Sequence, residues 1–233
     1  MDDGDDSTAG YDPTDYDRPS VTVDLVLMSV AEQAIQALLL RREAAPAKGK
    51  WALPGGFVRM NETLDDAARR IARDKARIAD CYLEQLYTFG AVRRDPRMRI
   101  ITVAYFALLP RERFAPALTL AELHMPGSGP LEAVLSGHGR LELAFDHRDI
   151  LALAVQRLRG KLDYSDLAFE LLPHRFTLRQ LQDVHEAILG VQFSKPAFRR
   201  RMLDKGGLRP TGAREAGVTY RPAELYRHIK TKS

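Results

Sequence analysis

Cysteine is almost absent. Cys81 is the one cysteine in 233 residues, so no internal disulfide can form and the chain suits a reducing compartment. Its position reads as a small apolar residue at a helix end. No run of 18 apolar residues occurs, so no membrane-spanning helix is expected. Residues 1–17 carry seven aspartates and no Lys or Arg, the reverse of the positive start of a secretion signal. Residues 1–18 therefore read as a disordered acidic tail, and the protein as cytoplasmic. The six histidines (His124, His138, His147, His174, His185 and His228) include no pair at i, i+4, so no zinc site is expected. His147, at a helix start, and His185, mid-helix, read as structural hydrogen bonders. G-x-S-x-G and the phosphate-loop pattern G-x4-G-K-[ST] are missing, as are internal repeats and coiled-coil heptads.

What is present is ordinary for a globular protein: 45% hydrophobic and 28% charged residues, in a length that suits two domains. The charge is unevenly placed. From Lys161 onward there are 14 Lys and Arg against 8 Asp and Glu, a net of +6, whereas the first 160 residues carry −2. A basic end on a neutral body is the electrostatic footprint of nucleic-acid binding.

Alternation of apolar residues predicts strands over 20–30 and 34–42, joined as a hairpin. After a loop at 44–50, a short strand at 51–53 enters Pro54-Gly55-Gly56, where two glycines allow close backbone approach to a ligand. Thr63 is a helix N-cap with Asp66 as the reciprocal half of a capping box. Leu64, Ala67, Ala68, Ile71 and Ile78 then share one helical face. Strands are expected over 82–92 and 99–109 around a turn at 93–96, with another over 118–125. Residues 131–135 read as a turn or two of helix, and 146–159 as a stronger helix. Beyond a linker over 161–175, Thr177 and Gln180 cap a helix over 178–189 that Gly190 closes. Ser194 caps a third helix from Lys195, with Pro196 in its first turn, running to about Asp204. Two strands over 208–217 and 218–229 complete a helix–turn–helix–wing.

Gly56, Glu62 and Arg70 fall at the spacing G-x5-E-x7-R, which resembles a Nudix box. A working box follows the arginine with glutamates at i, i+3 and i+4, one face of a helix that holds Mg²⁺ against substrate phosphates. Here those positions are Ile71, Asp74 and Lys75, and Arg77 replaces the last glycine. At ~4 Å and an effective dielectric of ~20, a Lys75 charge repels another unit charge by ~4 kcal/mol, and a dication fares worse. The loop that would hold phosphates is kept and the metal seat is lost. The expectation is a site that binds a nucleotide-like ligand without hydrolysing it, with no catalytic residues, no metal site, no required cofactor and no role for Mg²⁺. Candidate effector-binding residues are Gly55, Gly56 and Phe57 of the loop, Glu62 and Arg70 supporting it, Arg41 or Arg42 for a diphosphate, and Trp51 for stacking. Trp51 also reads as a core residue, and Glu62 with Arg70 as a purely structural pair.

On the third helix, Lys195 and Arg199 share a face (i, i+4). Arg200 and Arg201, about 100° further round per residue, would flank it and touch phosphate. Arg214 and Arg221 in the wing are further DNA-binding candidates, and Arg221 could instead only order the wing. A plain solvated basic face is the competing reading.

Five stretches together resemble the Nudix-related transcriptional regulators, the NrtR family of bacterial repressors of NAD metabolism: Trp51-Ala-Leu-Pro-Gly-Gly-Phe57, Leu143-Ala-Phe-Asp-His147, residues 176–186, Lys195-Pro-Ala-Phe-Arg-Arg-Arg-Met202 and Arg221-Pro-Ala-Glu-Leu-Tyr226. The resemblance implies a mixed α/β (α+β) fold. It would have an N-terminal Nudix α/β/α sandwich over residues 19–160 and a C-terminal winged helix-turn-helix over 176–233. It also implies a homodimer on double-stranded operator DNA, with ADP-ribose or a related nucleotide as effector and no membrane partner. Two other readings stay open on the sequence: an ADP-ribose pyrophosphatase with its carboxylates outside the box, and a Nudix-fold interaction module with a basic tail.

Overall fold

The computed structural model describes residues 12–125, 129–217, 219 and 221–229. The acidic tail expected over 1–18 falls mostly outside these. Its described part opens with a 3-10 turn at Pro13–Asp15, where the Asp12 carboxylate accepts from the Thr14 N–H at 2.8 Å.

The N-terminal unit is a sheet between two helical layers. β1 (Ser20–Ala31) and β2 (Ala34–Leu38) form an antiparallel hairpin. Its two turn residues, Glu32 and Gln33, both have positive φ (52° and 62°), which matches the twist of the flanking strands. The single strand expected over 34–42 divides. After Leu39 the chain leaves the sheet, and β3 (Leu40–Arg41) pairs with β4 (Trp51–Ala52) in a separate ribbon. β5 (Gly55–Phe57) returns to β1. Then come α1 (Leu64–Ala76), β6 (Tyr82–Phe89), β7 (Ile100–Leu108), β8 (Leu120–His124), β9 (Glu132–Leu135), β10 (Gly139–Arg140) and α2 (His147–Lys161). The order across the sheet is β10-β9-β8-β2-β1-β7-β6, with β1 and β7 parallel.

Residues 131–135, expected as helix, are a strand. Leu131 and Ala133 are buried at period two, and pairing with β8 decides a segment too short for helical periodicity to assert itself. α1 begins as expected, with both halves of the Thr63–Asp66 box formed. It ends at Arg77, which is left-handed (φ 59°). This is the position where a Nudix box has its glycine, and the backbone conformation gives the physical reason for that preference.

Alternate residues of β1 feed two cores. Val23, Leu25 and Leu27 meet Ala67, Ala68 and Ile71 of α1, while Val26 and Met28 face Ile150, Leu151 and Ala154 of α2. The second core does not stop at the sandwich. It runs on into α4 (Leu178–Leu189) through Leu181, Val184 and Ile188. The stretch expected as a linker contributes to it too: Leu162, Leu171, Leu172 and the short α3 (Leu167–Glu170) are packed inside. The Arg159 guanidinium at the end of α2 donates to the Ile188 carbonyl at 2.7 Å.

α4 carries its expected Thr177–Gln180 box and ends at Gly190 in the left-handed region. α5 (Lys195–Lys205) follows, although the Ser194 side chain makes no capping bond. β11 (Leu208–Arg214) and β12 (Glu224–His228) form a wing shorter than expected.

Candidate functional site

The glycine loop is held on all sides. β1 passes so close that a β-carbon on Gly55 would collide with Asp24 Oδ1 and come within 3.0 Å of the Val23 carbonyl. Leu25 N–H donates to the Pro54 carbonyl, and Leu53 N–H to His147 Nδ1, both at 2.8 Å. On the far side the Arg70 fork closes on Glu62 (Nε–Oε2 2.9 Å, Nη2–Oε1 2.6 Å) and also reaches the Phe57 carbonyl at 3.0 Å. Glu62 Oε1 accepts from the Arg59 N–H at 2.9 Å. The pair thus clamps residues 57–62 onto α1. The hydrogen-bonded Arg70 fork holds the Glu62 carboxyl down at about 2.

A cleft opens beside this loop, between β1, β5 and the N-terminus of α2. Of the residues singled out from sequence, Arg42, Gly55, Gly56 and Phe57 line it. Glu62 and Arg70 sit behind the loop. Arg41 and Trp51 lie on the separate ribbon: Arg41 Nε reaches the Gly49 carbonyl at 3.3 Å, and half-buried Trp51 is bracketed by the Glu142 carbonyl and Ala144 N–H and packs on the core. Arg42 donates Nε to the Pro46 carbonyl at 2.9 Å and lays its guanidinium 4.9 Å from the centre of the Phe145 ring.

The floor holds a network the sequence did not announce. Arg94 is 5% exposed in its side chain and forks onto Asp146 (Nε–Oδ2 2.8 Å, Nη2–Oδ1 2.7 Å) while Nη2 also meets Asp24 Oδ2 at 3.2 Å. Burial alone would lower its pKa, and the two carboxylates more than reverse that. His147 Nε2 stands 3.8 Å from Asp24 Oδ1. Burial lowers the His147 pKa, and its Nδ1 accepts from Leu53, so the ring is neutral with the proton on Nε2. One signal for the network was visible in advance: Asp24 is the lone charge inside the apolar run of β1, and it is buried.

Donor chemistry for a divalent cation is thin here. Ile71 is buried, with Cδ1 3.8 Å from where a Gly56 β-carbon would lie, so the face of α1 behind the loop is aliphatic. Asp74 and Lys75 are exposed further round the helix, and Glu62 is engaged by Arg70. Among the described residues no group of three or more His, Cys, Asp or Glu is placed to hold a metal.

The basic residues of α5 separate into roles. Lys195 and Arg199, both exposed, flank a groove floored by Phe198 and Tyr226 between α4, α5 and β12. Arg200 is 87% exposed in its side chain and lies 3.7 Å from Asp204. Arg201 donates to Asp163 Oδ1 at 2.7 Å and Lys205 to the Asp163 carbonyl at 2.9 Å, so these two tie α5 back to the end of α2. Arg214 reaches the Pro222 carbonyl at 3.4 Å, and Arg221 is exposed on the wing.

Behind this face, Phe198 packs on His185 (5.1 Å) and Phe193 (5.6 Å). His185 donates Nδ1–H to the Leu181 carbonyl at 2.8 Å, a structural bond of the kind expected. The turn between α4 and α5 is stapled by Glu186, whose Oε1 accepts from Gln182 Nε2 (2.7 Å) and Phe193 N–H (2.8 Å).

The family model of the NrtR DNA-binding winged helix domain matches residues 168–228, and that of the NUDIX domain matches 18–126. The chain is 41% identical to the ADPR responsive transcriptional repressor NtrR of Acinetobacter baylyi, over 94% of this chain and 86% of that one. It is similar in structure to Shewanella oneidensis NrtR complexed with a 27mer DNA, with TM-score 0.73 and 31% identity over 90% of this chain and 93% of that one. A narrower likeness is to an ADP-ribose pyrophosphatase of Methanocaldococcus jannaschii, 32% identical over 39% of this chain and 51% of that one.

Proposed function

Because the chain belongs to the NrtR family, which joins a Nudix domain to a winged helix, we propose that it is a DNA-binding transcriptional repressor that senses ADP-ribose or a close relative. The cleft around Gly55-Gly56-Phe57 takes the effector and α5 meets the operator. The observation that carries this reading is the likeness to an ADPR responsive repressor across 94% of the chain, cleft and winged helix together. A likeness confined to the sandwich, as with the pyrophosphatase, would leave α5 without a role.

In this reading Lys195 and Arg199 enter the groove, while Arg200, Arg214 and Arg221 contact phosphates and set register. Arg201 holds α5 in place instead. Arg42 takes the diphosphate, as the cleft arginine not bound to a carboxylate. The sandwich does not hydrolyse its ligand and needs no Mg²⁺. Buried Ile71, exposed Lys75 and the Glu62–Arg70 pair support this, since a hard cation needs several oxygen ligands. The protein works as a homodimer on a two-fold operator in the cytoplasm, controls NAD-metabolism genes, and releases DNA when the effector binds.

Release requires that the effector favour one arrangement of the two units over the other. α2 is suited to report it. His147 at its start lines the cleft, Asp146 just before it holds Arg94 there, and Arg159 near its end grips α4. Twelve residues of helix separate His147 from Arg159, about 18 Å.

The test is a band shift on the duplex upstream of the protein's own gene. A sequence-specific shift is expected, weakened in Arg199→Ala while calorimetric affinity for ADP-ribose persists. No specific shift there or on any NAD-gene promoter would overturn the assignment, and equal loss of DNA and ADP-ribose binding would overturn the two-site arrangement.

A further inference from the structure

The cleft offers two chemically different surfaces. At its rim are aromatic faces: Phe57, 49% exposed, and Phe145 beneath Arg42. At its floor are Asp24, Arg94 and His147, whose buried side chains present hydrogen-bonding groups.

Within that floor, Arg94 is committed to two carboxylates and is not available to a phosphate. Asp24 Oδ2 is taken by Arg94, but Asp24 Oδ1 accepts no hydrogen bond among the described residues, and His147 Nε2–H is 3.8 Å away. That gap is too long for a direct bond. It suits one oxygen about 2.8 Å from each atom, which must donate to the carboxylate and accept from the imidazole. A hydroxyl does both. A phosphate oxygen cannot donate, and an ammonium cannot accept.

We infer that Asp24 Oδ1 and His147 Nε2 form a sugar-hydroxyl subsite, which selects effectors bearing a terminal ribosyl group beyond the diphosphate. The purine lies at the rim against Phe57, the diphosphate meets Arg42, and the terminal sugar reaches the floor. This rests on the reading of the cleft as the effector site. It adds the part of the ligand that is discriminated and the pair that discriminates it. The floor fits that role electrostatically. Arg94 between Asp24 and Asp146, with neutral His147, leaves a net negative charge that accepts hydroxyl donors and disfavours a phosphate.

The test is calorimetric titration of the full chain with ADP-ribose and, separately, with ADP, which lacks the terminal sugar. The wild type should prefer ADP-ribose by tenfold or more, about the value of one hydrogen bond to a charged group. Asp24→Asn should bring that preference to within about threefold, the loss falling on ADP-ribose. His147→Asn provides a second, independent variant: its Oδ1 can still accept from Leu53 N–H, but it has no donor at the Nε2 position. It should collapse the preference in the same way, whereas His147→Gln, with a donor near Nε2, should restore part of it.

Equal wild-type affinities for ADP-ribose and ADP would overturn the inference. So would a preference that survives both Asn variants, or variants that weaken both ligands alike, which marks a purely structural role. A wild type that binds neither ligand would instead overturn the effector reading of the cleft.

Discussion

Arg94→Met is the most informative single change for the stability of the cleft. It keeps most of the apolar stem and removes the guanidinium. Arg94, Asp24 and Asp146 have side chains only 5%, 10% and 17% exposed, so water compensates the carboxylates poorly once their cation has gone. Removing one partner of a buried, well-formed pair costs about 3–5 kcal/mol, because the other charge is left uncompensated. Exposed pairs such as Lys50–Glu142, at 40% and 72% exposure, contribute about 0–1 kcal/mol by contrast. At about 2–4 °C per kcal/mol for a chain of this size, the melting temperature should fall by roughly 6–20 °C. Asp146→Asn in the same background should recover part of the loss, since it removes one stranded charge; thermal and urea denaturation of the four proteins of this cycle measure the coupling. An Arg94→Met loss below about 1 kcal/mol would refute the claim that the two carboxylates depend on Arg94.

Three further outcomes are expected. The Glu62 carboxyl sits at about 2 when folded against an ordinary 4.5, so its contribution is complete above about 4.5 and fades as pH falls toward 2. Glu62→Gln should therefore differ most from wild type at neutral pH and converge on it in strong acid, as read by denaturation across pH. Arg77→Gly should stabilise by about 1 kcal/mol by relieving a left-handed non-glycine residue at the end of α1; an unchanged or lower midpoint in urea would contradict that. Arg199→Ala, if Arg199 meets one phosphate, should lower the slope of log K against log[salt] by ~0.9, while Arg201→Ala, which breaks a tie to Asp163, should leave that slope close to the wild-type value.

Local chemistry was legible in advance. The Thr63–Asp66 and Thr177–Gln180 boxes form as read because each is complete within four residues. The glycine loop was legible for the same reason, and Glu62 with Arg70 at the expected spacing closes behind it. What escaped is non-local. Arg94 looked like a turn residue, yet its partners lie 52 and 70 positions away, and nothing near Arg94 in the chain points to them. β9 escaped because its strand character comes from a neighbour in the sheet rather than from its own four residues. Arg201 shares a run with Arg199 and Arg200, but its partner Asp163 lies 38 positions earlier. Helical phase alone could not show that it faces the sandwich.

The central claim is that the Nudix fold here reports its ligand to the winged helix instead of cutting it. The most direct measurement is fluorescence anisotropy of a labelled upstream duplex bound by the protein, titrated with ADP-ribose in the presence of Mg²⁺, with AMP quantified in the same samples. The account predicts that anisotropy falls to the free-duplex value as ADP-ribose saturates, with no AMP formed. Steady AMP release at an enzymatic rate, with the bound duplex indifferent to ADP-ribose, would contradict it.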